Sequence, residues 1–357
     1  MAIQYGIRTL TLQPELQVQN GVPTLFYAHV NFPAPGIGAK LFNIDTGSVG
    51  FVIPKSLLLQ PGTTSYYPWV EPTGQTMTLI YKPSNVSPTG EIVTVHGLSL
   101  QGVDGPIPIG PVKVLAHDET THTFMMGVGF GLEAISHYGP VDQPKPWTSA
   151  ATALDNPFLS IEGMSRDPGA PFQAAYAMSA ATFGGTTGKV VFGQTEELLE
   201  GFRFLSITPD PASPAGFQLP WVDLTVTPAG GAPMQTRAQL LMDAGIENMF
   251  LSVFQPSPPQ GGPATQVPVA DWTNAEVRIR AVDAAGLPVI DYAFINRDPQ
   301  KVQFHLTDTN QPASPNEVLN GGPSPQGGSF INTGVHLLAL YDYVLDAANN
   351  RLGFRVR

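Results

Sequence analysis

One short pattern occurs twice in this sequence, and it limits the possible folds more than any other feature. Residues 39–54 place Asp45–Gly47 between two apolar runs, and residues 238–252 place Asp243–Gly245 between two others. An internal repeat of this kind indicates two similar structural units. If a pseudo-twofold axis relates the units, their two Asp-x-Gly turns meet at one interface.

The repeat extends beyond the two turns. A segment of two apolar residues and a glycine follows each turn at a similar distance, at Met125–Gly127 in the first half and near Ile331–Gly334 in the second. Between the halves, the polar segment Gln194–Gly201 follows a compact strand pattern. We therefore place a boundary between two lobes there, which gives residues 1–195 and residues 196–357.

The composition favours strands over helices. Of the 357 residues, 37 are glycine and 36 are proline, and helix interiors tolerate neither well. Hydrophobic residues make up 42%, enough for a sizeable core, and the alternating patterns predict an all-β protein. The predicted strands include Ile7–Leu12, Thr24–Asn31, Ala39–Ile44, Val49–Pro54, Phe202–Ile207, Gln218–Val226, Leu337–Asp346 and Arg351–Val356. Two stretches rich in proline and glycine, Pro256–Pro268 and Pro312–Gly328, are predicted to be surface loops.

A hairpin is predicted in the first half. The segments Met77–Tyr81 and Glu91–Leu98 have the character of strands, and the polar segment Lys82–Gly90 joins them. Because the tip is rich in proline, serine and asparagine, we expect it to be a mobile element.

Charge and composition exclude several classes of function. The formal net charge is −11 and the 17 basic residues do not cluster, so neither nucleic acid nor an anionic membrane surface is an expected partner. No apolar run is long enough to cross a bilayer. The absence of cysteine excludes disulfides, Fe–S clusters and thiolate chemistry. The compartment is left open: the chain is secreted or periplasmic if a leader was removed, and cytoplasmic otherwise.

Two carboxylates held close together point to hydrolysis without a metal or a covalent nucleophile. Like charges at short range cannot both ionise, so such a pair shares one proton. The ionised member takes a proton from water, and the protonated member donates to the carbonyl oxygen of the substrate. Glycine at Gly47 and Gly245 permits a tight turn, and Ser48 can stabilise the anionic form. Thr46 is expected to hydrogen-bond across the interface to the other turn.

The sequence resembles the pepsin family of aspartic proteases over most of its length, as a divergent and cysteine-free relative. An exported bacterial protein is one setting in which cysteine would be absent. Four segments carry the resemblance, and they have the order and spacing of that family: Phe42–Pro54, Phe124–Phe130, Lys189–Gly193 and Tyr341–Phe354. The resemblance implies a bilobal double β-barrel with pseudo-twofold lobes and a central cleft.

The resemblance also assigns residues. Asp45 matches the first catalytic aspartate, Asp243 matches the second, and Ser48 matches the hydroxyl that hydrogen-bonds the first. Tyr81 matches the tyrosine of the flap, the hairpin that closes over substrate in this family. The segment Lys82–Gly90 is then a flap tip that is longer than usual.

The second motif departs from the family pattern. It reads Asp243-Ala244-Gly245-Ile246 where a hydroxyl residue is usual both after the aspartate and after the glycine. Thr46 is therefore expected to lack a symmetric partner, and Asp243 to lack the hydroxyl that orients it. Val52 replaces the tryptophan that supports the flap tyrosine.

These observations predict an aspartic endopeptidase that works best at acid pH, with a peptide or protein substrate in the interlobe cleft. Neither a cofactor nor a metal is expected, and we expect a monomer. The alternative is a catalytically inactive binding or inhibitor protein on the same fold, because the second motif is degenerate. The segment His117–His122 does not have the i, i+4 histidine spacing of a helical metal site, so it is predicted to be a solvated loop.

Overall fold

The computed structural model of the chain describes residues 6, 9–19, 22–79, 81, 87–118, 124–129, 154–180, 187–210, 217–255, 265–267, 274–296, 318–320 and 328–357. Over these residues the protein is mostly β-strand with little helix. The predicted all-β class is therefore confirmed.

The strands are short and numerous. In chain order they are β1 (Leu10–Leu12), β2 (Glu15–Gln19), β3 (Val22–Asn31), β4 (Lys40–Asp45), β5 (Val49–Pro54), β6 (Val70–Thr78), β7 (Thr89–Val95), β8 (Ser99–Gly102), β9 (Gly105–Pro108), β10 (Val112–His117), β11 (Met125–Val128), β12 (Ala175–Ser179), β13 (Lys189–Phe192), β14 (Arg203–Ser206), β15 (Trp221–Thr227), β16 (Met234–Leu241), β17 (Met249–Gln255), β18 (Thr265–Val267), β19 (Ala275–Val282), β20 (Pro288–Asn296), β21 (Val318–Asn320), β22 (Ser329–Asn332), β23 (Tyr341–Asp346) and β24 (Arg351–Val356). Two short α-helices are described, α1 (Glu196–Leu199) and α2 (Leu337–Leu340), with single 3-10 turns at Lys55–Leu57 and Gly334–His336.

Within the described ranges, these strands form one sheet of sixteen strands and one of eight. The larger sheet runs in the order β14-β24-β23-β12-β13-β1-β8-β3-β4-β11-β5-β10-β7-β6, with β2 beside β3 and β9 beside β8. The smaller sheet runs in the order β18-β17-β22-β16-β15-β19-β20, with β21 beside β17. Strands β14, β23 and β24, which follow residue 195, thus lie in the same sheet as strands that precede it. The division into lobes of residues 1–195 and 196–357 stays a prediction.

The same three-strand arrangement occurs once in each sheet. In the larger sheet β11 lies between β4 and β5, parallel to the first and antiparallel to the second. In the smaller sheet β22 lies between β16 and β17 with the same two orientations. We call β11 and β22 the crossing strands. Each lies between the strand that leads into an Asp-x-Gly turn and the strand that follows the turn.

Aromatic packing supports the first of these turns. Phe42 on β4 and Phe51 on β5 are both buried, and their rings meet edge to face with centroids 5.3 Å apart. Under the second turn, Leu240 on β16 and Leu251 on β17 are buried in the same way. Side chains of this kind fix the strands on both sides of each turn, so the turns stand on rigid elements.

Two predicted loops contain strands. The segment predicted as a loop at Pro256–Pro268 includes β18, and the one at Pro312–Gly328 includes β21; both pair with β17. Each of these strands has three residues, which is too few for an alternating pattern to be visible against the surrounding proline and glycine.

Two further local predictions are corrected. The segment Leu337–Asp346 was expected to be one strand, but its first four residues form helix α2. A short apolar run has no periodicity that separates helix from strand. His117 was expected in a solvated loop, but it ends β10 and is buried there between β5 and β7. His122 lies outside the described residues.

Candidate active site

The first aspartate is held by its own turn. Asp45 is the last residue of β4, and the chain turns through Thr46–Ser48 into β5. The backbone N–H of Gly47 donates to Oδ1 of Asp45 with an N···O distance of 2.6 Å. The Ser48 hydroxyl donates to Oδ2 at 2.5 Å. Both carboxylate oxygens of this buried side chain therefore have a donor from within three residues.

The second aspartate is held partly by its turn and partly by another strand. Asp243 follows β16, and the backbone N–H of Gly245 donates to its Oδ1 at 2.9 Å. Its Oδ2 accepts a hydrogen bond of 2.8 Å from the side-chain amide of Asn332, which ends β22. Ile246 supplies no hydroxyl to Asp243, and β22 brings the amide of Asn332 to the carboxylate instead.

Thr46 joins the two turns. Its hydroxyl donates to the backbone carbonyl of Met242 at 2.7 Å and accepts from the backbone N–H of Ala244 at 2.8 Å. Both hydrogen bonds involve the side chain of Thr46. The methyl side chain of Ala244 cannot make the equivalent hydrogen bonds to the first turn. The residues on both sides are buried, so each bond satisfies a backbone group that water does not reach.

The two carboxyl groups face each other across the interface between the turns. A methyl group placed on Gly47 would lie 2.2 Å from Cγ of Asp243, and one placed on Gly245 would lie 2.6 Å from Cγ of Asp45. Each carboxyl thus occupies the space left by the glycine of the opposite turn. The carboxyl of Asp243 therefore lies beside the first turn, and the carboxyl of Asp45 lies beside the second.

This arrangement has an electrostatic consequence for Asp243. Burial raises the pKa of Asp243 well above its ordinary value, and the negative charge of Asp45 raises it further. The hydrogen bonds from Asn332 and Gly245 act in the opposite direction, because they stabilise the ionised form. The pKa of Asp243 is raised overall, because burial and the charge of Asp45 outweigh these two hydrogen bonds.

Tyr81 lies beside the first aspartate. It follows the strand β6 of the predicted hairpin and packs against a buried apolar cluster that includes Val52 and Leu154. Burial raises the pKa of Tyr81, and the nearby negative charge of Asp45 raises it further. The structure therefore brings Tyr81, Ser48 and Asp45 together. The hairpin strands are β6 and β7, and residues 82–86 of the predicted tip lie outside the described residues.

Asn332 is the residue of this site that the sequence did not assign. The sequence placed the second apolar segment near Ile331–Gly334 but gave Asn332 no role. In the structure Asn332 pairs with Leu241 on one side and Phe250 on the other. A polar residue directly after two apolar residues, and two residues before a glycine, is the signal that could have identified it.

Other candidate sites are not supported in the part of the chain that the structure describes. It contains no group of three or more histidine, aspartate or glutamate side chains placed to hold a metal ion. None of the described helices has the length and apolar character required to span a bilayer. Trp69, which precedes the predicted hairpin, stacks on Tyr67 with ring centroids 5.1 Å apart and packs against the core.

Comparison of the sequence with models of known protein families gives no match, and comparison with curated proteins gives none either. The resemblance to the pepsin family therefore depends on the four motifs, and membership of that family stays a prediction.

Proposed function

We propose that the protein is an aspartic endopeptidase that hydrolyses peptide bonds with a water molecule activated between Asp45 and Asp243. The proposal includes a pepsin-like double β-barrel whose lobes enclose the cleft. The observation that supports it most is the close packing of two buried carboxyl groups, each against the glycine of the opposite turn and each on a turn that follows a strand. Two such groups form the acid and base pair that metal-free hydrolysis requires.

The donors around each carboxyl suit the two members to different roles. Asp45 accepts hydrogen bonds from Gly47 and Ser48 and acts as the ionised base. Asp243, with its raised pKa, holds the proton and acts as the acid. Asp45 takes a proton from water as the oxygen attacks the carbonyl carbon, and Asp243 gives its proton to the carbonyl oxygen. Asp45 then protonates the leaving nitrogen, the C–N bond breaks, and Asp243 recovers its proton from the diol.

The substrate is an extended peptide. An extended backbone can form strand-like hydrogen bonds along a cleft between β-structures. The hairpin of β6 and β7, with Tyr81 at its end beside Ser48, closes over the peptide and excludes water from the reacting bond.

A cleavage assay tests this proposal. An unfolded protein substrate is incubated between acid and neutral pH with the wild type, with Asp45→Asn and with Asp243→Asn, each in the presence and absence of pepstatin. We expect cleavage at acid pH by the wild type alone, and we expect pepstatin to inhibit it. Activity falls as the pH rises and Asp243 loses its proton. Cleavage that survives both substitutions and the inhibitor would exclude the mechanism.

The alternative is an inactive binding or inhibitor protein. The specific observation in its favour is Ala244, which leaves the link between the turns with hydrogen bonds from Thr46 only. The approach of the two carboxyl groups favours the enzyme. If the wild type is inactive and Ala244→Thr with Ile246→Thr gains activity, the alternative is correct and the degenerate second motif is its cause.

A further inference from the structure

The two carboxyl groups receive their second donor from different places. Oδ2 of Asp45 accepts from Ser48, the third residue after it. The third residue after Asp243 is Ile246, whose side chain has no hydrogen-bonding atom. Oδ2 of Asp243 instead accepts from Nδ2 of Asn332 at 2.8 Å.

We infer that Asn332 is the positioning residue of Asp243, and that its amide supplies from the crossing strand the hydrogen bond that Ser48 supplies to Asp45 from the turn. The inference deepens the proposed function and rests on it for its effect on catalysis. The residues of the second turn do not by themselves indicate this role for Asn332.

The side chain of Asn332 is fixed at both ends. Its Nδ2 donates to Asp243, and its Oδ1 accepts from the backbone N–H of Gly334 at 2.9 Å. Rotating the amide by half a turn would place its oxygen against the carboxylate and its NH₂ group against an N–H. Both contacts would be repulsive, so the local structure determines the orientation. The residue is buried, and water does not compete for either bond.

The position of Asn332 has a counterpart in the first half that cannot do the same. Asn332 pairs with the residue two before Asp243 and with the residue seven after it, which are Leu241 and Phe250. Met125 has the same relation to Asp45 through Asn43 and Val52. The thioether of methionine has no hydrogen to donate. The side-chain donor to the carboxyl therefore comes from the turn in the first half and from β22 in the second half.

Asn332 also affects the pKa of Asp243. A neutral amide that donates to Oδ2 stabilises the ionised form of Asp243, so it limits the rise in pKa that burial and Asp45 produce. Loss of the amide is expected to raise the pKa of Asp243 further. The pH at which activity declines on the alkaline side would then move upwards.

The test compares Asn332→Ala with a variant that moves the donor. Asn332→Ala is expected to lower kcat on the order of 10- to 100-fold, with less effect on KM, and to shift the alkaline limb of the pH profile upwards. Ile246→Ser added to Asn332→Ala places a hydroxyl three residues after Asp243, as Ser48 stands to Asp45. We expect this double variant to recover kcat and to return the limb towards its original pH.

Thr333→Val is the matched control. Thr333 is the buried neighbour of Asn332, and its hydroxyl bonds backbone carbonyls of Leu241 and Gly334 rather than a carboxylate. The substitution keeps the side-chain shape and should leave the alkaline limb where it is. Should Asn332→Ala fail to fold, the near-isosteric Asn332→Asp replaces it, and a third buried carboxyl beside Asp243 should also raise the pKa of Asp243.

A second measurement separates this inference from the proposed function. The titration of Asp243 is followed by ¹³C NMR of the labelled carboxyl carbon in the wild type and the variants. If the wild type does not cleave peptides but Asn332→Ala raises the pKa of Asp243, the protease proposal fails and the assignment of Asn332 stands. If the wild type cleaves peptides but Asn332→Ala shifts neither the titration nor the pH limb, the assignment is overturned.

Discussion

At the scale of the residue, the two aspartates form one buried acid rather than two separate carboxylates. Each carboxyl lies against the glycine of the opposite turn, so the two turns pack closely at the site. The raised pKa of Asp243 depends on the charge of Asp45 as well as on burial. Substitutions at either position should therefore alter the behaviour of the other.

Asp45→Asn should stabilise the protein at neutral pH while it abolishes activity. In the wild type the folded state binds the proton of Asp243 more tightly than the unfolded state does, so this contribution to stability is present at low pH and is lost as the pH rises. Removing the charge of Asp45 removes one cause of that loss. We expect a gain of about 0.5 to 2 kcal/mol in the free energy of unfolding at pH 7, measured by urea denaturation, and a smaller gain at pH 4.

Asp223→Asn serves as the control for this prediction because Asp223 is an exposed aspartate on β15. Its free energy of unfolding should change by no more than about 0.5 kcal/mol. An equal gain for Asp45→Asn at both pH values would contradict the explanation by charge.

Gly47→Ala should inactivate the protein without unfolding it. The new methyl group would lie 2.2 Å from Cγ of Asp243 and would push that carboxyl out of line with Asp45. A displacement of about 1 Å can lower activity by roughly 100-fold, which steady-state kinetics would detect. At Gly110 the nearest atom to an added methyl is 3.3 Å away, so Gly110→Ala should retain most activity. Full activity in Gly47→Ala would show that the two carboxyl groups do not work as a pair.

At the scale of the element, a single 3-10 turn ties the crossing strand β22 to the second aspartate turn. Within Gly334–His336, the N–H of Val335 donates to the carbonyl of Ile246 at 3.0 Å. Nε2 of His336 lies 2.6 Å from the carbonyl oxygen of Glu247, so it must carry a hydrogen and donate. The ring is buried, and burial lowers the pKa of His336 from 6.5 to about 4.

This histidine should make the protein less stable in acid. Because the folded pKa is depressed, the contribution of His336 is fully present above pH 6.5 and is lost as the pH falls towards 4. The loss amounts to roughly 3 kcal/mol across that range. His336→Gln keeps a donor but cannot ionise, so its free energy of unfolding should fall less between pH 6.5 and pH 4 in urea titrations. The control is His29→Gln, because the His29 side chain is 38% exposed; an unchanged slope in His336→Gln would contradict the prediction.

The elements that could be predicted from the sequence are those whose residue pattern lies within the element itself. Strand β5 was predicted at Val49–Pro54, as it is found, because an apolar run lies between a glycine turn and a proline. The role of Asn332 could not be predicted from the residues near it, since the donor and Asp243 are far apart in the chain and meet through the register of β22 against β16. The strands β18 and β21 depend in the same way on a partner, β17, and have little intrinsic pattern of their own.

At the scale of the whole molecule, the last strands of the chain complete the larger sheet. β23 pairs with β12 over Tyr343–Asp346, and β24 pairs with β23 and β14. The turn between β23 and β24 contains a buried ion pair, in which Nε of Arg351 lies 2.5 Å from Oδ2 of Asp346. Asn349 donates to the same carboxylate. A substitution that destabilises this hairpin should therefore also destabilise the strands near the start of the chain, which belong to the same sheet.

Asp346→Ala should destabilise the whole protein by about 3 to 5 kcal/mol, because it leaves the guanidinium of Arg351 buried without its partner. Since the hairpin belongs to the larger sheet, we expect unfolding in urea to remain one transition, with circular dichroism and tryptophan fluorescence coinciding at a lower midpoint. The exposed turn residue Asp104 gives the control, and Asp104→Ala should leave the midpoint in place. Loss of the C-terminal strands alone, in a separate transition, would contradict the prediction.

The position of β23 also has a consequence for biosynthesis. The ribosome finishes β12 at Ser179 but does not reach the start of its neighbour until Tyr341. At about 5 to 20 residues per second, roughly 8 to 32 seconds separate the two events. During that interval an apolar strand that is buried in the finished protein has one open edge, the kind of surface to which chaperones bind and from which aggregates grow. Yield in a cell should therefore depend on how quickly translation delivers the final strands.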